Sequence, residues 1–126
     1  MLTNFSQICF FTSNTNNSLR HIAYGVSAAA VGNYVAVGDA GTIVSSPDAV
    51  NWTSQTIPTT QSFYSVCFGP DLQFIAVGTA GTLAYSSSGA DGSWSVANAG
   101  SVDLYSIVPG DVFIAVGAAG SNVSGK

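Results

Sequence analysis

The chain of 126 residues contains no glutamate, one histidine, two cysteines and only two full cations, Arg20 and Lys126. Charged residues make up 6% of it, against about 25% in an ordinary soluble domain. Each scarcity excludes something. Without a basic track there is nothing to neutralise a row of phosphates, so nucleic-acid binding is not expected. A Ser-His-Asp arrangement would rest wholly on His21. The six aspartates are scattered, with no Asp-x-Asp-x-Asp run for calcium and no evident carboxylate pair for glycoside hydrolysis. Cys9 and Cys67 are not closely spaced, which argues against zinc. Cys67 lies in the apolar run 64–68 and reads as a small buried hydrophobe, although a Cys9–Cys67 disulfide stays open. No apolar run approaches the ~18 residues of a membrane-spanning helix. Residues 1–11 lack the basic region and cleavage site of a signal peptide.

What the chain does have is repetition. Tyr-Val-Ala-Val-Gly-Asp-Ala-Gly-Thr at 34–42 returns as Phe-Ile-Ala-Val-Gly-Thr-Ala-Gly-Thr at 74–82 and as Phe-Ile-Ala-Val-Gly-Ala-Ala-Gly-Ser at 113–121. Val37, Val77 and Val116 are thus 40 and 39 residues apart. In an all-β sequence that period points to propeller blades. Before each phrase comes a second shared element, at 19–25, 63–69 and 104–110, which alternates apolar and polar residues and ends on glycine. It reads as a strand followed by a turn. The Ala-Val-Gly phrase supplies a second strand, apolar at every position and so expected to be covered on both faces. Gly78 and Gly81 bracket a tight hairpin. A third strand is expected at 42–45 and 82–86, and a fourth of about five residues from Trp52 or Trp94.

The expected fold is therefore all-β, with propeller-like blades of four antiparallel strands in about two and a half repeats of ~40 residues. The repeats run over about 18–60, 61–101 and 102–126. The third is expected to stop after its second strand, leaving 113–116 at an edge. Segments 34–37, 74–77 and 113–116 are expected to be the most buried. Residues 1–17 are expected to form an N-terminal strand (4–11) and a polar linker, and the strand is expected to complete some blade. A closed ring needs at least about four blades, so the chain is expected to homo-oligomerise or to sit in a larger complex.

The stretch Ser46-Pro47-Asp48-Ala49-Val50-Asn51-Trp52 resembles the Asp-box of bacterial-neuraminidase-like repeats, a Ser/Thr-x-Asp hairpin ending on Trp. Together with the Ala-Val-Gly phrase, it is similar to repeats of phage and secreted bacterial structural proteins. A second copy at 88–94 keeps Asp91 and Trp94 with one residue fewer between them, and Ala49 stands where the first copy would carry glycine. The resemblance implies a structural box of Ser46, Asp48, Trp52, Asp91 and Trp94, in which the carboxylate caps turn amides and the indole packs between sheets.

Sialidases share the box, but their arginine cluster cannot be built from one arginine. Asp39 reads as a hairpin-tip residue, since Thr79 and Ala118 replace it in the other repeats. His21 aligns with Ser65 and Ser106, which suggests a blade-edge position rather than catalysis. The sequons at Asn4, Asn16, Asn51 and Asn122 read as chance in a chain so rich in Asn, Ser and Thr. No enzyme activity, catalytic residue, metal or cofactor is expected. The leading expectation is a structural or adhesion component of an extracellular assembly, most specifically a virion protein of a phage tail, fibre or capsid surface. Its partners would be other chains of that assembly. The alternative is a lectin that binds a cell-surface glycan between blades through Trp52, Trp94, Tyr64 and Tyr105, by aromatic stacking on the sugar.

Overall fold

The structure is a computed structural model and describes residues 13, 15–69, 71–90 and 92–125. Those residues form eleven strands and no α-helix. In chain order they are β1 (Leu19–Val26), β2 (Gly32–Gly38), β3 (Ile43–Ser46), β4 (Thr53–Ser54), β5 (Phe63–Phe68), β6 (Phe74–Gly78), β7 (Thr82–Ser86), β8 (Ser95–Asn98), β9 (Leu104–Val108), β10 (Phe113–Gly117) and β11 (Asn122–Gly125). They pair as three antiparallel meanders: β1-β2-β3-β4, β5-β6-β7-β8 and β9-β10-β11. The expected strand at 4–11 lies outside the described residues.

Two expectations about the third repeat need correction. It does not stop after its second strand, because Asn122–Gly125 turns back and pairs with β10, with Val116 opposite Asn122. Phe113–Val116 is therefore the centre of a sheet and not an edge. Nor is it among the most buried segments. Phe74–Val77 is buried throughout, but Ile114 and Val116 are 45% and 51% exposed. The physical cause is neighbours. The middle sheet has a sheet against each face: Phe74 and Ala76 join Val35, Val37 and Ile43 in one apolar cluster, while Ile75 and Val77 join Leu104, Ile107 and Ala115 in another. The third sheet is covered on one face only.

The glycines of the repeated phrase have two separate causes. Gly38, Gly78 and Gly117 are extended, with φ of -169°, -166° and -161°, so their conformation suits any residue. Space is what fails. A Cβ would lie 1.9 Å from the Ser18 carbonyl at Gly38, 1.8 Å from Ser62 at Gly78 and 2.0 Å from Asp103 at Gly117. Each of those carbonyls accepts the next residue's N–H, from Asp39 (3.0 Å), Thr79 (2.9 Å) and Ala118 (2.8 Å). The later glycine obeys backbone sterics instead: Gly41, Gly81 and Gly120 have φ of 73°, 68° and 73°. Ala40, Ala80 and Ala119 before them also lie in the left-handed region, at φ of 57°, 54° and 56°. Two consecutive positive φ values are the signature of a tight hairpin whose twist matches its flanking strands.

Opposite each glycine the first strand of the sheet bulges. The register slips between Leu19 and His21, between Phe63 and Ser65, and, in the third sheet, where β10 passes from Val116 to Gly117. Arg20, Tyr64 and Tyr105 are the extra residues. A bulge re-aims the side chain it carries, and here it does so three times in one direction.

Candidate functional site

The three bulge residues meet across the sheets. The Tyr64 and Tyr105 ring centroids are 5.3 Å apart, and the Arg20 guanidinium lies 5.6 Å from the Tyr64 centroid. Arg20 is fixed by a two-pronged pair with Asp39, Nε to Oδ1 at 2.6 Å and an Nη to Oδ2 at 3.2 Å. The result is a surface row of one guanidinium and two phenols, in which Tyr105 is the most exposed. The sequence reading singled out both tyrosines but passed over Arg20, and took Asp39 as a bare turn residue. The recurrence of position 20 as 64 and 105 was the signal that could have joined them.

A cleft of ≈ 400 Å³ opens beside the row on the outer face of the first sheet, lined by Leu19, Arg20, Ile22, Ala36 and Trp52 among others. Trp52 is half-buried, and its indole N–H donates to the Ala49 carbonyl at 3.1 Å. Trp94 is in a different place. It is buried in the cluster between the first two sheets, so its ring faces are already covered, and its N–H donates to the Gly89 carbonyl at 3.4 Å.

The first box loop is a closed network. The Ser46 hydroxyl donates to Asp48 Oδ1 (2.9 Å) and accepts the N–H groups of Asp48 (3.2 Å) and Ala49 (2.8 Å). Asp48 Oδ1 also accepts the N–H groups of Val50 and Asn51, both at 2.9 Å, and Oδ2 accepts the Asn51 amide at 2.9 Å. Donors aimed at a carboxylate favour its ionised form. The N–H groups of Asn51 and Val50, then the Asn51 amide and the Ser46 hydroxyl, hold Asp48 well below the usual carboxylate range. Ala49 sits at φ 64°, a left-handed conformation that favours glycine.

The second box aligns differently in space than in sequence. Ser86, and not Ser88, takes the place of Ser46: its hydroxyl accepts the N–H groups of Ser88 (3.2 Å) and Gly89 (2.8 Å). Ser88 then stands where Asp48 stands, accepting the Ala90 N–H at 3.1 Å. Ser86 and Ser93 are hydrogen-bonded across the loop. Asp91 lies outside the described residues.

His21 is used between sheets. Its Nδ1 accepts the Val66 N–H at 3.0 Å and lies 3.3 Å from the Ser65 hydroxyl. Ser65 does the same one sheet on, accepting the Ile107 N–H at 3.2 Å. A second link recurs in the turns: Ala40 N–H donates to the Ser62 hydroxyl (3.1 Å) and Ala80 N–H to Asp103 Oδ1 (2.9 Å). Cys67 is buried with a free thiol, which burial pushes up to about 11. Among the described residues no group of three or more His, Cys, Asp or Glu side chains is placed to hold a metal, and no helix is long and apolar enough to cross a membrane.

No protein-family model matches the chain, and a search of curated proteins finds no match.

Proposed function

We propose that this chain is a non-enzymatic structural or adhesion component of an extracellular assembly, most specifically a virion surface or tail, and that its three sheets are successive blades of a propeller-like ring. One observation carries the reading. Apolar positions sealed in the middle sheet are open at each end on opposite faces: Val116 is 51% exposed against 0% at Val77, and Ile22 52% against 1% at Val66. Apolar surface repeated at both ends of an array is a means of joining to something else. The groups best suited to acid–base chemistry have other work, since Asp48 saturates its own loop and His21 holds the neighbouring sheet. The phage-like and secreted-repeat resemblance supports the extracellular setting.

A second reading has its own support in the Arg20–Tyr64–Tyr105 row and the cleft under Trp52. The exposed Tyr105, with the half-buried Tyr64 and Trp52 beside a fixed guanidinium, suits the apolar side and hydroxyls of a sugar, so this reading is a lectin that uses Tyr64, Tyr105 and Trp52. Solution mass by sedimentation, with a glycan array on the same sample, separates the two. An assembly without glycan signal supports the structural component. Sugar binding that is lost in Tyr105→Ala supports the lectin.

A further inference from the structure

We propose that two copies of this chain associate head to tail, the outer face of the third sheet of each seating on the outer face of the first sheet of the other, to close a ring of six sheets. The inference rests on the reading of the sheets as successive blades and adds the partner and the register.

The contact is already present twice within the chain. Between the first and second sheets, and again between the second and third, the same three features recur. Apolar residues of one sheet meet apolar residues of the next. A side chain at the position of His21 or Ser65 accepts a first-strand N–H, from Val66 or Ile107. A turn amide, Ala40 or Ala80, donates to the side chain just before the next first strand, Ser62 or Asp103.

Carried one step further, the third sheet holds one half of each feature. Ser106 is the repeat equivalent of Ser65, and Ala119 that of Ala80. Val108, Ile114 and Val116 are 57%, 45% and 51% exposed, where their equivalents Cys67, Ile75 and Val77 are buried. The first sheet holds the other halves. Ile22 pairs with Ala36 as Val66 pairs with Ala76, so its N–H faces the sheet edge as the Val66 N–H does. Ser18 stands where Ser62 stands, and Ile22, at 52% exposure, replaces the buried Val66 and Ile107. The ends are complementary and different, so they cannot satisfy themselves by an isologous contact. The pairing that uses every half is the third sheet on the first, with Ser106 accepting the Ile22 N–H and Ala119 donating to Ser18 of the other copy. Rings of blades hold about four to eight sheets. The described residues of each copy bring three, and two such sets of three fall in that range.

The test uses the full chain and two charge substitutions on exposed side chains. Val116→Asp spoils the third-sheet face and leaves the first-sheet face intact, and Ile22→Asp does the reverse. By sedimentation velocity at micromolar concentration the unaltered chain is expected to be a dimer, and each variant alone a monomer with unchanged circular dichroism. An equimolar mixture of the two variants regains a 1:1 dimer by native mass spectrometry, because one good interface is restored. Ser106→Ala, which leaves the apolar area in place, is expected to weaken association about fivefold per interface. A monomeric unaltered chain overturns the proposal, and so does a variant that still pairs with itself. An assembly insensitive to both substitutions also overturns it, while leaving the reading as an assembly component standing.

Discussion

Replacing Gly78 by alanine is expected to cost far more than its extended conformation suggests. The residue is extended and needs no special φ, so backbone strain contributes nothing. The added Cβ would lie 1.8 Å from the Ser62 carbonyl oxygen and 2.8 Å from the Phe63 Cα. Both are main-chain atoms, which cannot rotate aside as a side chain would. The strands must part by more than about 1 Å, and overpacking of this kind costs about 1–3 kcal/mol. Ser62 is held by the Thr79 N–H on its carbonyl (2.9 Å) and by the Ala40 N–H on its hydroxyl (3.1 Å). Each bond put at risk adds about 1 kcal/mol, so the total is about 3–5 kcal/mol. Ala80→Gly, two residues away, is the control of opposite sign. Ala80 sits at φ 54°, where a non-glycine residue pays about 1–2 kcal/mol, and glycine gives back about 1 kcal/mol through the freer unfolded chain. A net gain of about 0.5 kcal/mol is expected. Urea unfolding at one fixed protein concentration reads both midpoints. An unchanged midpoint for Gly78→Ala would refute the close-approach argument.

Three further perturbations separate the roles of equivalent or neighbouring residues. Val77→Asp buries an unpaired charge between two sheets and is expected to cost about 3–5 kcal/mol, while Val116→Asp at the same repeat position stays within about 0.5 kcal/mol in the monomer; equal losses in urea unfolding would contradict the difference in cover. Asp48 has a folded pKa depressed below its unfolded value, so its contribution is complete above about pH 5 and is lost as pH falls below about 4. Asp48→Asn should lower stability at neutral pH and flatten the acid limb of a stability–pH curve, and a limb of unchanged slope would count against the caged carboxylate. The Cys67 thiol, buried and pushed up to about 11, should resist iodoacetamide in the folded protein at pH 8 and react once urea unfolds it, as peptide mass mapping would show.

The repeat was legible because each copy of the phrase restates one physical problem. Val77 and its neighbours must fill a space between sheets, Gly78 must let a carbonyl approach, and Gly81 must turn the chain. Composition and spacing carry all of that. The sequence did not reveal the return strand Asn122–Gly125, whose polar residues give little pattern, or the loss of cover over Ile114 and Val116. Cover belongs to the neighbour and not to the segment, so three similar phrases predicted three similar burials. The same limit applies to the site. Arg20, Tyr64 and Tyr105 share a repeat position, but it takes three bulges to stack them, and a one-residue slip in register is invisible in an alternating pattern. In the second box the hydrogen bonds follow Ser86, which is less conspicuous in sequence than Asp91 and Trp94.

The inter-sheet links also bear on how stability is distributed. In a stacked array, stability is approximately the sum of each unit's own term and its nearest-neighbour contacts. The three described sheets share two junctions, so the middle sheet draws on both and each outer one on one. Among the described residues the third sheet has three strands and a single covered face, so it draws least on packing within one copy. Two isolated copies have four junctions between them, but a closed ring of the same six sheets has six. Closure would therefore do most for the sheets that draw least on packing within one copy. An array built this way has no need of a large core in any one sheet. It needs each sheet to carry both halves of the same contact, and Ser65 with Val66 shows how little sequence that takes: one side chain accepts from the next sheet while the adjacent amide donates to the previous one.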